Sequence, residues 1–245
     1  MQSLASPTVG IAHGGRVVRF TRRGAGVRAY EAAAAPPPDP TSRVHESLFE
    51  TGLKVALVPE RLYRFEDRRD YLTGTYPTVS RGIGVAAVAP LGALAVFEHD
   101  PRLPDGADVG HHLVQLLASA GEDLVRLGGD FALALFVGHD LWVALWRGGE
   151  LVGMEGQRYR DEADAVFALA SQLGRFGMDR AATRVYLGGA IAPGGALDRG
   201  LGIYFDVYYL AEAVGTLANP HLATALLLAF GQALRDQPGA PAADA

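Results

Sequence analysis

The hydrophobic and polar positions of this chain divide it into short runs separated by turn residues. Residues 8–12, 15–21 and 26–32 are rich in β-formers and are interrupted by His13-Gly14-Gly15 and Arg22-Arg23-Gly24, so three strands joined by tight turns are expected first. Residues 32–40 hold consecutive prolines, which remove ladder donors and fix φ, and read as a loop. A short helix is expected over 42–51 with Ser42 as its cap, then a strand over 54–58 closed by Pro59. Residues 60–72 read as helical, with Leu62, Phe65 and Leu72 apolar. Residues 82–89 read as a strand, 91–98 as a helix and 107–109 as a brief strand. A helix over 111–127 places Leu113, Leu116, Leu117 and Ala120 on one face.

The second half repeats the opening. Strands are expected over 131–137, 141–146 and 150–155, linked by Gly138-His139-Asp140 and Arg147-Gly148-Gly149, both of hairpin composition. Residues 161–176 form the clearest helix, with Ala163, Val166, Phe167, Ala170 and Leu173 spaced by three and four and two acids at its positive end. A strand over 184–187, a short helix over 195–201, a strand over 202–207 and a last helix over 221–235 follow. Residues from 237 onward are expected to be a disordered Pro/Ala tail. The order strand-strand-strand-helix-strand-helix thus occurs about twice. It divides the chain into a first lobe at 1–125, a second at 126–236 and the tail at 237–245.

Composition narrows the chemistry. Length of 245 residues with 49% apolar and 20% charged content suits a globular protein able to bury a core. The net charge of −5 gives no basic field for nucleic acid. Cysteine is absent, which removes thiolate catalysis, disulfides and cysteine metal sites and fits a reducing compartment; the cytoplasm is the expected location. Lys54 is the sole lysine, so no Walker A loop is present, and its place beside a strand reads as solvated. No run approaches the ~20 apolar residues of a membrane span, and no export signal is expected from the opening residues.

Three motifs carry a resemblance. Val9-Gly10-Ile11-Ala12-His13-Gly14-Gly15 and Leu135-Phe136-Val137-Gly138-His139-Asp140 are matching strand-turn-strand openings. Val185-Tyr186-Leu187-Gly188-Gly189-Ala190 is a hydrophobic strand ending in paired glycine, followed by a Pro193-Gly194 step. On these motifs residues 8 to about 235 resemble the actin-like ATPases, whose duplicated ribonuclease H-like lobes close over a nucleotide. The chain is most similar to an actin-like bacterial family of undefined function related to the actin-like protein of type IV pilus assembly. The resemblance implies an α/β fold of two ribonuclease H-like lobes with degenerate nucleotide motifs. Gly10, Gly14 and Ala12 would stand at the first phosphate turn, Phe136 and Gly138 at the second, and Gly188 and Gly189 along the base and ribose. In that family each phosphate turn supplies an acid; Ala12 and Phe136 offer none, and magnesium needs oxygen ligands. The resemblance therefore implies no catalytic residues, no metal and no cofactor. An active ATPase or sugar kinase is the alternative, for which Asp140 or Asp130 would have to act.

Other polar groups have plainer readings. His139 and Asp140, adjacent on a turn, point to different sides more readily than they pair as base and orienter. His111 and His112, with Asp105 and Asp108 upstream, read as a helix-cap region with one part-buried histidine. Arg16, Arg19, Arg22, Arg23 and Arg28 form a run suited to an acidic partner, and Tyr204, Phe205, Tyr208 and Tyr209 are mostly core, with any exposed member favouring a protein interface. The expectation is a non-catalytic binding or scaffolding module that meets a protein partner or a second copy of itself, and neither nucleic acid nor a membrane span.

Overall fold

A computed structural model describes residues 8–13, 16–23, 26–32, 47–79, 82–99, 110–217 and 219–235. Side chains at 8, 16, 21–32 and 47 lie outside this description. The chain forms two compact units, residues 1–115 and 116–245. The order of elements places the boundary at 125–126, and this division falls ten residues earlier.

The first unit opens with β1 (Thr8–His13), β2 (Arg16–Arg23) and β3 (Gly26–Ala32), an antiparallel meander. β4 (Ser47–Glu50) and β8 (His111–His112) extend it in parallel on the β1 side, giving the order β3-β2-β1-β4-β8. Between β4 and β8 the chain builds a second sheet from β5 (Val55–Pro59), β6 (Ile83–Val88) and β7 (Ala93–Glu98), with β7 central. Helix α1 (Arg68–Thr73) packs Leu72 against Val58 and Val96 of that sheet.

The second unit repeats the first sheet. β9 (Phe131–Val137), β10 (Asp140–Arg147) and β11 (Glu150–Arg158) form the meander, and β12 (Arg184–Gly189) and β13 (Asp206–Tyr209) continue it in parallel, in the order β11-β10-β9-β12-β13. Helices α2 (Leu113–Val125), α3 (Glu162–Arg175), α4 (Ala196–Tyr204), α5 (Leu210–Gly215) and α6 (Leu222–Arg235) accompany the strands. Asp161 caps α3 by accepting the Asp164 N–H at 2.9 Å. The α3 core face packs Leu169 and Leu173 with Phe136, Leu141, Val143 and Leu145.

Several expectations are corrected. Residues 47–50 are a strand, not part of a helix: Leu48 and Glu50 are buried while Phe49 between them is half-buried, the alternation of a parallel strand beside β1. Residues 93–98 are β7, not a helix. A central strand buried on both faces shows a continuous apolar run, which periodicity does not separate from a buried helix. The span 60–72 is broken into a 3₁₀ turn at Glu60–Leu62 and α1. Residues 202–204 belong to α4, the strand begins at Asp206, and α5 was not foreseen. The strand over 107–109, the proline loop from 33 onward and the 237–245 tail lie outside the described residues. Among the described residues no helix is long and apolar enough to cross a membrane.

Candidate functional site

In open α/β sheets the crevice beyond the carboxyl ends of parallel strands receives ligands. Each unit has such an edge: β1 and β4 in the first, β9 and β12 in the second. The β1–β2 ladder closes on the pair His13–Arg16 and the β9–β10 ladder on Val137–Asp140. Counted from these pairs, Ala12 and Phe136 hold equivalent positions, as do Val17 and Leu141. Gly10 is then equivalent to Ala134 and not to Gly138. It sits buried inside β1, paired with Arg19 and Leu48, three residues before the strand's last residue, His13. Gly14 lies outside the described residues.

At the first edge Ala12 is fully buried and its carbonyl accepts the Thr51 hydroxyl at 2.7 Å. That hydroxyl's proton being spent, His13 Nδ1 donates to Thr51 Oγ1 at 3.2 Å. Glu50, 1% exposed, accepts the N–H groups of Thr51 and Gly52 on Oε1 at 2.9 and 3.1 Å. His112 is buried: its Nδ1 accepts the Val114 N–H at 3.3 Å, which leaves Nε2 to donate to the Gly52 carbonyl at 3.0 Å. Burial lowers its pKa to about 4, so the ring is neutral. His111 instead stacks on Phe49 and meets Gln115. The two histidines sit on β8 and serve separate partners; Asp105 and Asp108 lie outside the described residues.

At the second edge Phe136 is 1% exposed and packs edge-on against Tyr159 at 5.8 Å. The Gly138-His139 turn, with Gly138 at φ 59°, is tied down by Tyr159, whose hydroxyl donates to the Gly138 carbonyl at 2.8 Å and whose N–H donates to that of His139 at 2.9 Å. Burial raises the Tyr159 phenol, and the charges of Asp140 and Glu162 raise it further. Asp140 does not orient His139; its Oδ1 accepts from Arg158 Nε at 3.0 Å. Asp130 lies before β9, at the strand end away from this turn, and accepts the Gly148 N–H at 2.9 Å.

Gly188 and Gly189 end β12 beside β9, with the Ala190 N–H donating to the Phe136 carbonyl at 2.8 Å. They line a cavity of about 260 Å³ with Ile191, Tyr209, Leu210 and Arg235. Arg235 Nη1 donates to the Gly189 carbonyl at 2.6 Å. Burial and the neighbouring Asp198 carboxyl raise the Tyr209 phenol. Gly189 is required by the chain itself: at φ 85° an added Cβ would stand 2.0 Å from the Phe136 carbonyl oxygen.

The outlying candidates resolve differently. Lys54 is not simply solvated, since Nζ lies 2.6 Å from both Glu98 Oε2 and the Thr78 carbonyl. Within the arginine run only the side chain of Arg19 is described, half-buried. Tyr204 and Tyr208 are exposed, Phe205 is buried and Tyr209 half-buried. Thr51, Tyr159 and Arg235 were missed by sequence reasoning, because each finds its role through a partner from another strand or turn, and Glu50 was missed because its segment reads as a helix.

The resemblance read from the sequence would imply a magnesium-bound nucleotide. The groups at the two equivalent strand ends do not fit the metal, since a methyl and a phenyl ring supply no oxygen. No protein-family model matches the chain, and no curated protein matches it by sequence. Among solved structures, a Bacteroides thetaiotaomicron protein described as having an actin-like ATPase fold and unknown function matches with a TM-score of 0.72. Identity is 10%, over 93% of this chain and 98% of that one. A chain of a PilM-PilN type IV pilus biogenesis complex matches with a TM-score of 0.42 at 12% identity, over 96% of this chain and 100% of that one, and at that score it bears no weight here.

Proposed function

We propose that this chain, whose fold is that of the actin-like ATPases, is a binding or scaffolding protein that does not hydrolyse ATP. One observation carries the reading: Ala12 and Phe136, both buried, occupy the equivalent last turns of β1 and β9. Hydrolysis needs a carboxylate there to hold magnesium or to orient water, and losing one placed catalytic group commonly costs orders of magnitude in rate. The rival ATPase or sugar kinase would depend on Asp140, already engaged by Arg158, or on Asp130, at the far end of β9. The test is turnover of magnesium-ATP by the full chain. No release of phosphate is expected; a rate near ~1 s⁻¹ or above, abolished by Asp140→Asn, would establish an enzyme instead.

The function is then exercised through a protein partner or a second copy, in the cytoplasm. Support comes from the exposed Ile203, Tyr204 and Tyr208 at the α4–β13 end of the second unit, since exposed aromatic surface is typical of protein interfaces. A pull-down from the native cell tests this, with Ile203→Asp and Tyr204→Ser expected to lose the partner. The cavity at Gly188 and Gly189 favours a second reading, a small ligand held without metal. Native mass spectrometry of the purified chain separates the two: a stoichiometric small molecule with no partner supports the ligand reading.

A further inference from the structure

At the end of β4 the chain turns a carboxylate back onto its own backbone. Two successive N–H groups, those of Thr51 and Gly52, converge on one oxygen of the buried Glu50. Successive backbone donors of this kind form the concavities in which proteins hold anions. These two stand just past the carboxyl ends of the parallel strands β1 and β4, where an open α/β sheet receives ligands. The donor pair is also held rigidly. The Thr51 hydroxyl is fixed to the Ala12 carbonyl, and the Gly52 carbonyl is fixed by the neutral His112 ring.

The strand pattern itself does not require an acid here. Glu50 pairs with Ala12 as Gly189 pairs with Phe136, so the equivalent position in the second unit is a glycine. There the next N–H, that of Ala190, goes to the Phe136 carbonyl, and no side chain takes part. In the first unit the Thr51 hydroxyl satisfies the matching carbonyl, which frees the N–H groups of 51 and 52 for an anion.

We propose that Glu50 is a built-in anion, filling the donor pair of Thr51 and Gly52 so that this edge of the first unit accepts no phosphate or carboxylate ligand. This goes beyond the absence of hydrolysis, since a protein without catalytic acids could still hold a phosphate there. It also predicts a hidden site: removing Glu50 leaves a preorganised pair of donors open to a small external anion.

The experiment is chemical rescue in the full chain. Glu50→Ala is expected to lower Tm by roughly 5–10 °C. Formate at about 50 mM, compared with chloride at equal ionic strength, is expected to restore much of that loss in the variant and to leave the wild type unmoved. A folded Glu50→Ala chain no more sensitive to formate than the wild type overturns the proposal. So do wild-type Thr51 and Gly52 amide resonances that shift on addition of pyrophosphate. Should Glu50→Ala not fold, Glu50→Gln decides. Amide exchange at 51 and 52 faster by about threefold or more supports the built-in anion, and unchanged exchange overturns it. Such a failure would leave the non-hydrolysing reading standing, since that rests on Ala12 and Phe136.

Discussion

Gly231 of α6 lies directly on the backbone of Gly189 at the end of β12: a Cβ at 231 would stand 2.9 Å from the Gly189 Cα and 3.0 Å from its nitrogen and oxygen. One turn further on, Arg235 donates to the same residue's carbonyl. Helix and strand therefore meet backbone to backbone, and neither side has a flexible group that could give way.

Gly231→Ala is expected to lift α6 from β12 and to cost about 1–3 kcal/mol, the usual penalty of overpacking. Gly174→Ala is the control with the opposite sign. That helix position has nothing within 4 Å of an added Cβ, so alanine's better helix propensity should raise stability by about 0.5–1 kcal/mol. Urea denaturation of the two variants beside the wild type checks both signs.

This contact also marks how far the sequence could be read. The β9–β10–β11 meander and α3 were legible because strand runs, Gly turns and the Asp161 cap are local signals. The paired Gly188 and Gly189 were legible as a turn beside a candidate pocket, but the demand for glycine at 189 comes from the Phe136 carbonyl, some fifty residues earlier in the chain. β4 and β7 were misread because four residues are too few for a period, and because a strand buried on both faces has none. Misreading β4 as helix hid the polar group at the end of β1, since the Thr51 contacts with Ala12 and His13 exist only when β4 lies parallel to β1.

Gln172 on α3 is 2% exposed, and its Nε2 has no hydrogen-bond partner among the described residues. An orphaned buried amide costs about 1–3 kcal/mol. Gln172→Leu, which packs the same space without a polar group, is expected to be neutral or to raise stability by up to about 1 kcal/mol, as read from the denaturation midpoint at constant m-value. A loss of stability would mean that the amide does meet a partner such as an ordered water.

Asp123 of α2 is fully buried and holds the start of α6, accepting the His221 N–H at 2.7 Å and the Thr224 hydroxyl at 2.5 Å. Arg126 and the His221 ring lie 3.5 and 3.2 Å from its other oxygen. Asp123→Ala leaves both donors without this acceptor and is expected to cost about 2–4 kcal/mol. Hydrogen exchange checks the location of the damage: α6 amides should lose protection while those of α3, capped by its own Asp161, keep theirs.

His112 gives the fold a pH dependence of defined sign. Its pKa falls from 6.5 to about 4 on burial, so between those values the unfolded chain binds a proton that the folded chain refuses. The unfolded state holding more protons, stability rises with pH through this window. The contribution is fully present above the unfolded value near 6.5 and is lost progressively as pH falls toward 4. The fall from 6.5 to about 4 corresponds to roughly 3 kcal/mol. Paired carboxylates add a slope of the same sign at lower pH, so the His112 share has to be taken by difference. His112→Gln keeps a donor and an acceptor but has no titrating group. Its unfolding free energy should be flatter than the wild type's between pH 7 and 4.5, with the two curves approaching each other toward the acid end. Parallel curves would mean that the ring takes up its proton at the same pH folded as unfolded, and the lowering of its pKa by burial would have to be abandoned.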